Sequence, residues 1–398
     1  MFSKQVLAWR IERALAALKE QDIDLWISIG RETHLTTDPA LMYMLPGTFI
    51  QMVALALTKT GQSICLCSPL HIEEVAQHGA TQQNLAYRDY EDFDDQLREI
   101  IREAPKNGRI ALNFSEGDTS ADGLSLTQFR RLKRLFAQAG FSGDIVSSQL
   151  LMKRTRAQKN PEEVRRIGAA VDAALTLFDE FRSVLRPGMS GFDIQRWFQE
   201  KALERGYGID YGRDGSPFCS IGARSSYYCV KPPLDVFVEP GDLVNVDLGI
   251  RLNEYASDNQ RSYYVLRPGE TEAPKELLRA FRAMQEAQQA VVRAMRPGID
   301  TTVLGQAASD VFEKHGYPRV SGLGHELGAF AHEGGMGCGG IGFRVGLDTA
   351  LEVGMTFTTE PAILTPYGRL CQEEVITVTP EGGHMHGVRQ AELWLIKP

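Results

Sequence analysis

Residues 239–261 read EPGDLVNVDLGIRLNEYASDNQR, and this stretch decides the fold because it sets two carboxylates, Asp247 and Asp258, on a strand–turn–strand scaffold. The apolar run at 243–248 is typical of a buried strand, and turn-forming residues bound it on both sides. Taken alone, the two carboxylates have two open interpretations: a strand-end cap and a turn residue, or two parts of one site. The residues downstream distinguish these interpretations.

Length and composition are those of a globular protein. A chain of 398 residues is long enough for two or three domains, and its net charge of −8 argues against a nucleic-acid surface, which usually carries a basic excess. Residues 1–18 predict a charged helix rather than a secretory signal, and no apolar run approaches the ~18 residues that span a bilayer. The six scattered cysteines favour reduced thiols. We therefore expect a cytoplasmic protein with neither a nucleic-acid nor a membrane partner.

Strand-type and helix-type patterns alternate over residues 1–153, which predicts an α/β amino-terminal domain. The expected strands lie near residues 22–29, 52–58, 63–68 and 109–114, and the expected helices near 6–21, 92–103 and 126–139. No catalytic constellation occurs in this part of the sequence.

A domain boundary is expected near Lys153, so that residues 154–398 form a second domain. Asn160, Pro161 and Glu163 stand where a helix prefers its cap, its first residue and the partner of its cap. The helix that they begin is predicted to run to about Leu185, before the Pro-Gly pair that ends it.

The second domain repeats itself. EPGDLVNVD at 239–247 recurs as EVGMTFTTE at 352–360, so Asp247 and Glu360 occupy equivalent positions, and each is followed by a second acid, Asp258 and Glu373. Two halves that pack about a pseudo-twofold axis would bring these four carboxylates together. Buried carboxylates cost several kcal/mol each unless they are paired or bind a metal. The repeat therefore predicts an α+β domain with a metal site at its centre.

The stretch GLGHELGAFAHEGG at 322–335 supplies the nitrogen ligand that such a site needs. His325 lies among small residues, and His332 follows seven residues later. The pair His325-Glu326 invites comparison with the zinc motif HExxH, but Ala329 stands where that motif needs its second histidine.

Five ordered blocks resemble the signature of the pita-bread metallopeptidases, family M24, in its prolidase, aminopeptidase P and creatinase branch. They are VDLG at 246–249, SDNQRS at 257–262, GLGHELGAFAHE at 322–333, TTEPAIL at 358–364 and QEEVITVT at 372–379. Residues 24–47 are similar to the amino-terminal domain of that branch, and residues 153–167 are similar to its hinge. The resemblance implies two metal ions bound by Asp247, Asp258, His325, Glu360 and Glu373. It also implies that His332 contacts substrate, and that the protein forms a homodimer.

The chain departs from the family in two places. Peptidase members carry a histidine roughly seventeen residues before the first ligand, but no histidine occurs here between His78 and His315. Cys229, Val230 or Lys231 stands at that position, and Tyr227, Tyr228 and Lys231 are the nearest candidates to hold the leaving group in its place. The arginine usual two residues before the last ligand is replaced by Cys371, although Arg369 is close.

Three functions remain open. The first is a metal-dependent Xaa-Pro dipeptidase or aminopeptidase, the second a creatinase-like hydrolase or lyase of a small non-peptide substrate, and the third a binding module without activity. In the first, two ions bridge a water and lower its pKa, Glu360 accepts its proton, and His332 contacts the carbonyl oxygen. The oxygen-rich ligand set favours Mn²⁺ and tolerates Zn²⁺, Co²⁺ or Fe²⁺.

Overall fold

The computed structural model describes residues 3–32, 37–210, 216–225, 235–318, 323–333 and 350–397. The chain divides into two units, residues 1–157 and 158–398. None of the described helices combines the length and the apolar character that a bilayer crossing needs.

The first unit is an α/β domain, as the alternating pattern predicts. Its helices are α1 (Lys4–Glu20), α2 (Pro39–Met44), α3 (Ile72–His78), α4 (Tyr90–Arg102), α5 (Leu126–Ala139) and α6 (Gln149–Ala157), with a short 3₁₀ turn at Thr119–Ala121. Its strands are β1 (Leu25–Gly30), β2 (Val53–Thr58), β3 (Ser63–Cys67), β4 (Gln83–Ala86), β5 (Arg109–Leu112) and β6 (Asp144–Ser147). They form one mixed sheet in the order β4-β3-β2-β1-β5-β6. Every residue of β1, β2 and β3 is buried, which indicates that both faces of the sheet are covered. Lys153, where the sequence predicts the boundary, lies within α6.

The second unit begins with a capped helix. Its helices are α7 (Pro161–Phe181), α8 (Gly191–Glu204), α9 (Lys275–Ala294) and α10 (Thr301–Lys314). The Asn160 side chain accepts a hydrogen bond from the backbone of Glu163, whose carboxylate accepts one from the backbone of Asn160, so the predicted capping box is confirmed. The helix ends at Phe181 rather than near Leu185, because the backbone after it tightens into hydrogen bonds three residues apart.

The strands of the second unit form several small sheets. They are β7 (Gly208–Ile209), β8 (Phe218–Ile221), β9 (Leu243–Leu248), β10 (Ile250–Leu252), β11 (Tyr255–Ala256), β12 (Asn259–Val265), β13 (Thr356–Thr359), β14 (Ala362–Thr365), β15 (Gly368–Cys371), β16 (Glu374–Thr379), β17 (Gly382–Met385) and β18 (Trp394–Ile396). The sheets are ordered β18-β12-β9-β8, β13-β16-β17, β11-β10-β7 and β14-β15. Aromatic side chains of α7 and α8 pack on the β9–β12 sheet in one buried core.

The predicted repeat is visible in the backbone hydrogen bonds. In the first copy, Gly188 N donates to Val238 O at 2.8 Å; in the second copy, Gly298 N donates to Leu351 O at the same distance. Both glycines adopt a positive φ, 87° and 85°, at the turn between two helices. Val238 and Leu351 immediately precede the two repeated segments, so each half enters its ligand-bearing strand in the same way.

A buried histidine near the carboxyl terminus makes stability depend on pH. His386 Nε2 lies 2.8 Å from Thr377 Oγ1, and burial, aided by the charge of His384, lowers the pKa of His386 from 6.5 to about 4. Because the pKa of His386 is higher in the unfolded chain than in the folded one, the neutral form of this histidine favours folding. Its contribution to the free energy of unfolding is complete above pH 6.5 and is lost as pH falls toward 4. Between pH 7.5 and pH 5 the free energy of unfolding falls by about 2 kcal/mol on account of His386.

We therefore expect that His386→Gln, which does not titrate, loses about 2 kcal/mol less than the parent between pH 7.5 and pH 5. Urea unfolding of the metal-free proteins at both pH values measures this difference. Equal acid sensitivity in the two proteins would show that His386 is not responsible.

Candidate metal centre

Two neighbouring strands and the turn before one of them position the first pair of carboxylates. β9 pairs antiparallel with β12, so that Asp247 lies opposite Gln260. Asp258 precedes β12 and is buried, with 1% of its surface exposed. The predicted placement of both acids on one strand–turn–strand scaffold is therefore found in the structure.

The second half contributes the other pair in a similar way. β13 pairs antiparallel with β16, and Glu360 follows β13 while Glu373 precedes β16. A bridge between Gln260 and Glu373 joins the strands of the two halves. The carboxylates of the two repeats meet across this bridge.

The histidine segment, residues 323–333, lies along β13. His325 N donates to Thr358 Oγ1 at 3.2 Å, and Thr358 N donates back to His325 O at 2.9 Å. The Nδ1 of His325 lies 3.2 Å from Glu326 O, an arrangement that fixes the ring and leaves Nε2 toward the carboxylates.

All six predicted site residues lie in one cluster. His325 Nε2 is 3.4 Å from Asp258 Oδ2, 3.7 Å from Glu373 Oε1 and 3.8 Å from Glu360 Oε1. Asp247 joins Asp258 and Glu373 in a second group of donor atoms within 4.8 Å of one another, and His332 joins Asp258 and His325 in a third.

The electrostatics of the cluster call for a cation. Burial, reinforced by the charges of Asp258 and Glu360, raises the pKa of Asp247 and of Glu373 well above the ordinary carboxylate range. Asp247 Oδ1 and Glu373 Oε1 are buried without a hydrogen-bond partner among the described residues. Four carboxylates and one imidazole, with oxygens left unsatisfied, fit divalent metal ions.

The pKa values of the two histidines shift in opposite directions. Burial lowers the pKa of His325, but a hydrogen bond to Asp258 and the charges of Asp258 and Glu360 outweigh it, so that the pKa is raised. Burial and then the charge of His325 lower the pKa of His332 to about 4. The two ring centres are 4.3 Å apart. His332 is therefore neutral at pH 7 and keeps one N–H donor.

Three polar residues beside the carboxylates were not assigned a role from the sequence. Arg369 Nη1 donates to Asn245 Oδ1 at 2.8 Å and to Gln260 Oε1 at 2.6 Å. Gln260 Nε2 donates in turn to Glu373 Oε2 at 2.8 Å and to Glu360 Oε2 at 3.1 Å. Strand alternation places Asn245 on the same face of β9 as Asp247, but its contact with Arg369 on β15 is not visible in the sequence.

Cys371 occupies the position where the family usually has arginine. It is fully buried, and burial raises the pKa of its thiol to about 12. The thiol is therefore protonated at neutral pH and is neither a nucleophile nor a metal ligand. Residues 226–234 lie outside the described part of the chain. They contain Cys229 and Val230, at the position of the family's histidine, and the leaving-group candidates Tyr227, Tyr228 and Lys231.

Comparison with known proteins gives the class of the protein. Residues 162–398 match the model of metallopeptidase family M24, and the chain belongs to that family. The family and the fold class predicted from the five sequence blocks are therefore confirmed.

Individual relatives are similar over most of their length. The chain is 28% identical to an Xaa-Pro dipeptidase of Lactobacillus helveticus over 344 residues, 83% of this chain and 85% of the relative. A solved Xaa-Pro dipeptidase from Bacillus anthracis superposes with a TM-score of 0.76 at 22% identity, covering 97% of this chain and 99% of that one. The dipeptidase PepE of Mycobacterium ulcerans gives a TM-score of 0.75 at 21% identity over the whole of both chains. At these identities the solved structures establish the fold.

Proposed function

We propose that this protein is an Xaa-Pro dipeptidase or aminopeptidase that uses two divalent metal ions. The observation that carries the proposal is the cluster of four carboxylates around His325, in which buried oxygens are left unsatisfied. The Xaa-Pro dipeptidase of L. helveticus, similar over most of its length, supports the substrate class.

The ions would be held by Asp247, Asp258, His325, Glu360 and Glu373. Ions in such a site lower the pKa of a water molecule and polarise the carbonyl that it attacks. The oxygen-rich ligand set favours Mn²⁺ over metals that prefer soft sulfur ligands, although Zn²⁺, Co²⁺ and Fe²⁺ also accept carboxylate and imidazole ligands.

Glu360 acts as the proton acceptor. Its Oε2 accepts a hydrogen bond from Gln260, whereas its Oε1 faces His325. Burial raises the pKa of Glu360, which makes its carboxylate a stronger base. The same carboxylate then delivers the proton to the leaving nitrogen.

His332 contacts the carbonyl oxygen of the substrate. As a neutral imidazole it donates its single N–H without adding charge to the resting site. The donated hydrogen bond strengthens as negative charge develops on that oxygen.

A substrate screen tests the function. Chelated protein that has been reloaded with Mn²⁺ should hydrolyse Xaa-Pro dipeptides, and the activity should vanish again on chelation. Amidines, lactams and betaine-like compounds belong in the same screen because the second candidate, a creatinase-like hydrolase or lyase, is favoured by the lack of histidine between His78 and His315. Turnover of these compounds without cleavage of any Xaa-Pro peptide would replace the first function by the second.

We expect His332→Ala to retain both ions and to lower kcat by roughly 10²- to 10³-fold, because one preorganised donor is lost. Elemental analysis of the variant and steady-state kinetics on the best dipeptide measure the two effects. A loss of less than about threefold in kcat/KM, which is under ~0.7 kcal/mol, would reduce His332 to a packing residue.

We propose that the protein is a homodimer, since an α/β domain without a catalytic cluster of its own among the described residues is most useful where it completes a neighbour's site. Light scattering at micromolar concentration should give about twice the chain mass of 44.2 kDa. A mass equal to that of one chain would contradict this proposal.

A further inference from the structure

Gln260 is a buried amide at the junction of the two repeats. It is 1% exposed, and its side chain makes hydrogen bonds with three charged groups, one of which donates and two of which accept. The guanidinium of Arg369 can only donate, so the amide oxygen must face it; the carboxylates of Glu360 and Glu373 accept, so the amide nitrogen must face them. The orientation of the amide is therefore determined by its neighbours.

The backbone holds Gln260 as firmly as the side chain does. Glu373 N donates to Gln260 O at 3.2 Å in the bridge between the halves, and Arg261 Nη1 donates to the same oxygen at 2.9 Å. Arg369, which orients the amide, is itself held by Asn245 at 2.8 Å. The amide nitrogen therefore presents its two hydrogens at a fixed place.

The fixed amide nitrogen distinguishes the two oxygens of Glu360 and of Glu373. Gln260 Nε2 takes Oε2 of Glu373 and Oε2 of Glu360, at 2.8 and 3.1 Å. The other oxygen of each carboxylate, Oε1, faces His325. The distance to His325 Nε2 is 3.7 Å from Glu373 Oε1 and 3.8 Å from Glu360 Oε1. One amide thus turns one oxygen of each carboxylate toward the donor cluster and withdraws the other.

We propose that Gln260 is a positioning residue that selects which oxygen of Glu360 and of Glu373 faces the metal ions, and that Arg369 fixes the orientation of its amide. The inference rests on the proposed function, since it presupposes that ions bind there. Arg369 lies two residues before position 371, where the family pattern has arginine and this chain has a buried cysteine.

Hydrogen-bonded partners of metal ligands typically change metal affinity by 10- to 100-fold when they are replaced. Gln260→Met keeps the length of the side chain and removes the donor, so we expect its Kd for Mn²⁺, measured by calorimetry with MnCl₂ on the chelated protein, to rise by about 10- to 100-fold. Gln260→Asn keeps a buried amide that is too short to reach both carboxylates, and its Kd should rise in the same direction.

Gln390 offers a matched control. It is also a buried glutamine, and its Nε2 donates to a backbone carbonyl, Ser262 O at 2.8 Å, instead of to carboxylates. Gln390→Met should lower the melting temperature while its Kd for Mn²⁺ stays within about twofold of the parent. A purely structural role for Gln260 predicts the same result for both methionine variants.

The outcomes separate the two proposals. A folded Gln260→Met with a parent-like Kd, or a Gln390→Met that weakens Mn²⁺ binding equally, overturns the role of Gln260 and leaves the proposed function intact. If Gln260→Met does not fold, Gln260→Asn decides by the same criterion. A parent protein that takes up no Mn²⁺ at all overturns the proposed function and this inference together.

Discussion

Replacing Asp258 by asparagine is expected to abolish metal-dependent activity and, at the same time, to stabilise the metal-free protein. Asp258 belongs to two of the three groups of donor atoms, so an ion that loses it loses the carboxylate nearest to His325. In the absence of ions its charge raises the pKa of Asp247 and of Glu373, after burial, which is a mutual repulsion that costs stability. Removing that charge should raise the free energy of unfolding of the metal-free protein at pH 7.5, because Asp247 and Glu373 are then less repelled.

The measurement is a pair of thermal melts, with chelator and with excess Mn²⁺, alongside the peptidase assay. The parent should gain stability from Mn²⁺ by mass action, whereas Asp258→Asn should melt higher than the parent in chelator and respond little to the ion. Asp242 is the control, because it is a buried aspartate of the same unit that accepts from Arg224 at 2.5 Å. Asp242→Asn should lose stability and keep its response to Mn²⁺. An Asp258→Asn protein with full activity would remove Asp258 from the site.

Replacing Lys159 by methionine is expected to destabilise the second unit by about 3 to 5 kcal/mol, because it leaves a buried carboxylate without its counter-charge. Lys159 Nζ lies 2.9 Å from Glu333 Oε2, and the two side chains are 2% and 1% exposed. Glu333 also accepts from Ala329 N and follows His332 directly, so the ion pair holds the histidine segment. Urea unfolding measures the stability, and kcat should fall as well, because His332 is no longer held in place.

Two further variants identify the cause. Lys159→Met combined with Glu333→Gln removes both charges and should recover part of the loss, since neither partner is then left charged in the core. Lys59→Met breaks a surface pair with Asp22, whose side chain is 78% exposed, and should change stability little. A single Lys159→Met variant as stable as the parent would contradict the role of the pair.

The positions of the site residues could be predicted because each rests on a local pattern. The repeated segments mark Asp247 and Glu360 by sequence alone, and a strand that precedes or follows each acid is evident from its apolar period. His325 could be predicted from its resemblance to the family block. None of these residues needs knowledge of which strand pairs with which.

The residues that orient the site could not be predicted, because their roles depend on contacts between distant segments. Gln260 reads as an ordinary strand residue until the bridge to Glu373 shows which strands meet. Arg369 lies on β15, and its partner Asn245 lies on β9, two strands whose contact no local pattern encodes. The end of α7 at Phe181 was likewise missed, because apolar periodicity continues through residues whose backbone has already left the helix.

The internal repeat determines where the second unit can open locally. Asp247 and Asp258 belong to one repeat, Glu360 and Glu373 to the other, and the bridge between Gln260 and Glu373 is where the repeats touch at the site. An ion that binds ligands from both repeats is a removable crosslink between them. The binding free energy of the ion adds to the cost of any opening that separates the two repeats. It does not add to the cost of an opening within one repeat. The metal-free chain can therefore open between the repeats, whereas the loaded chain must give up its ions before it opens there.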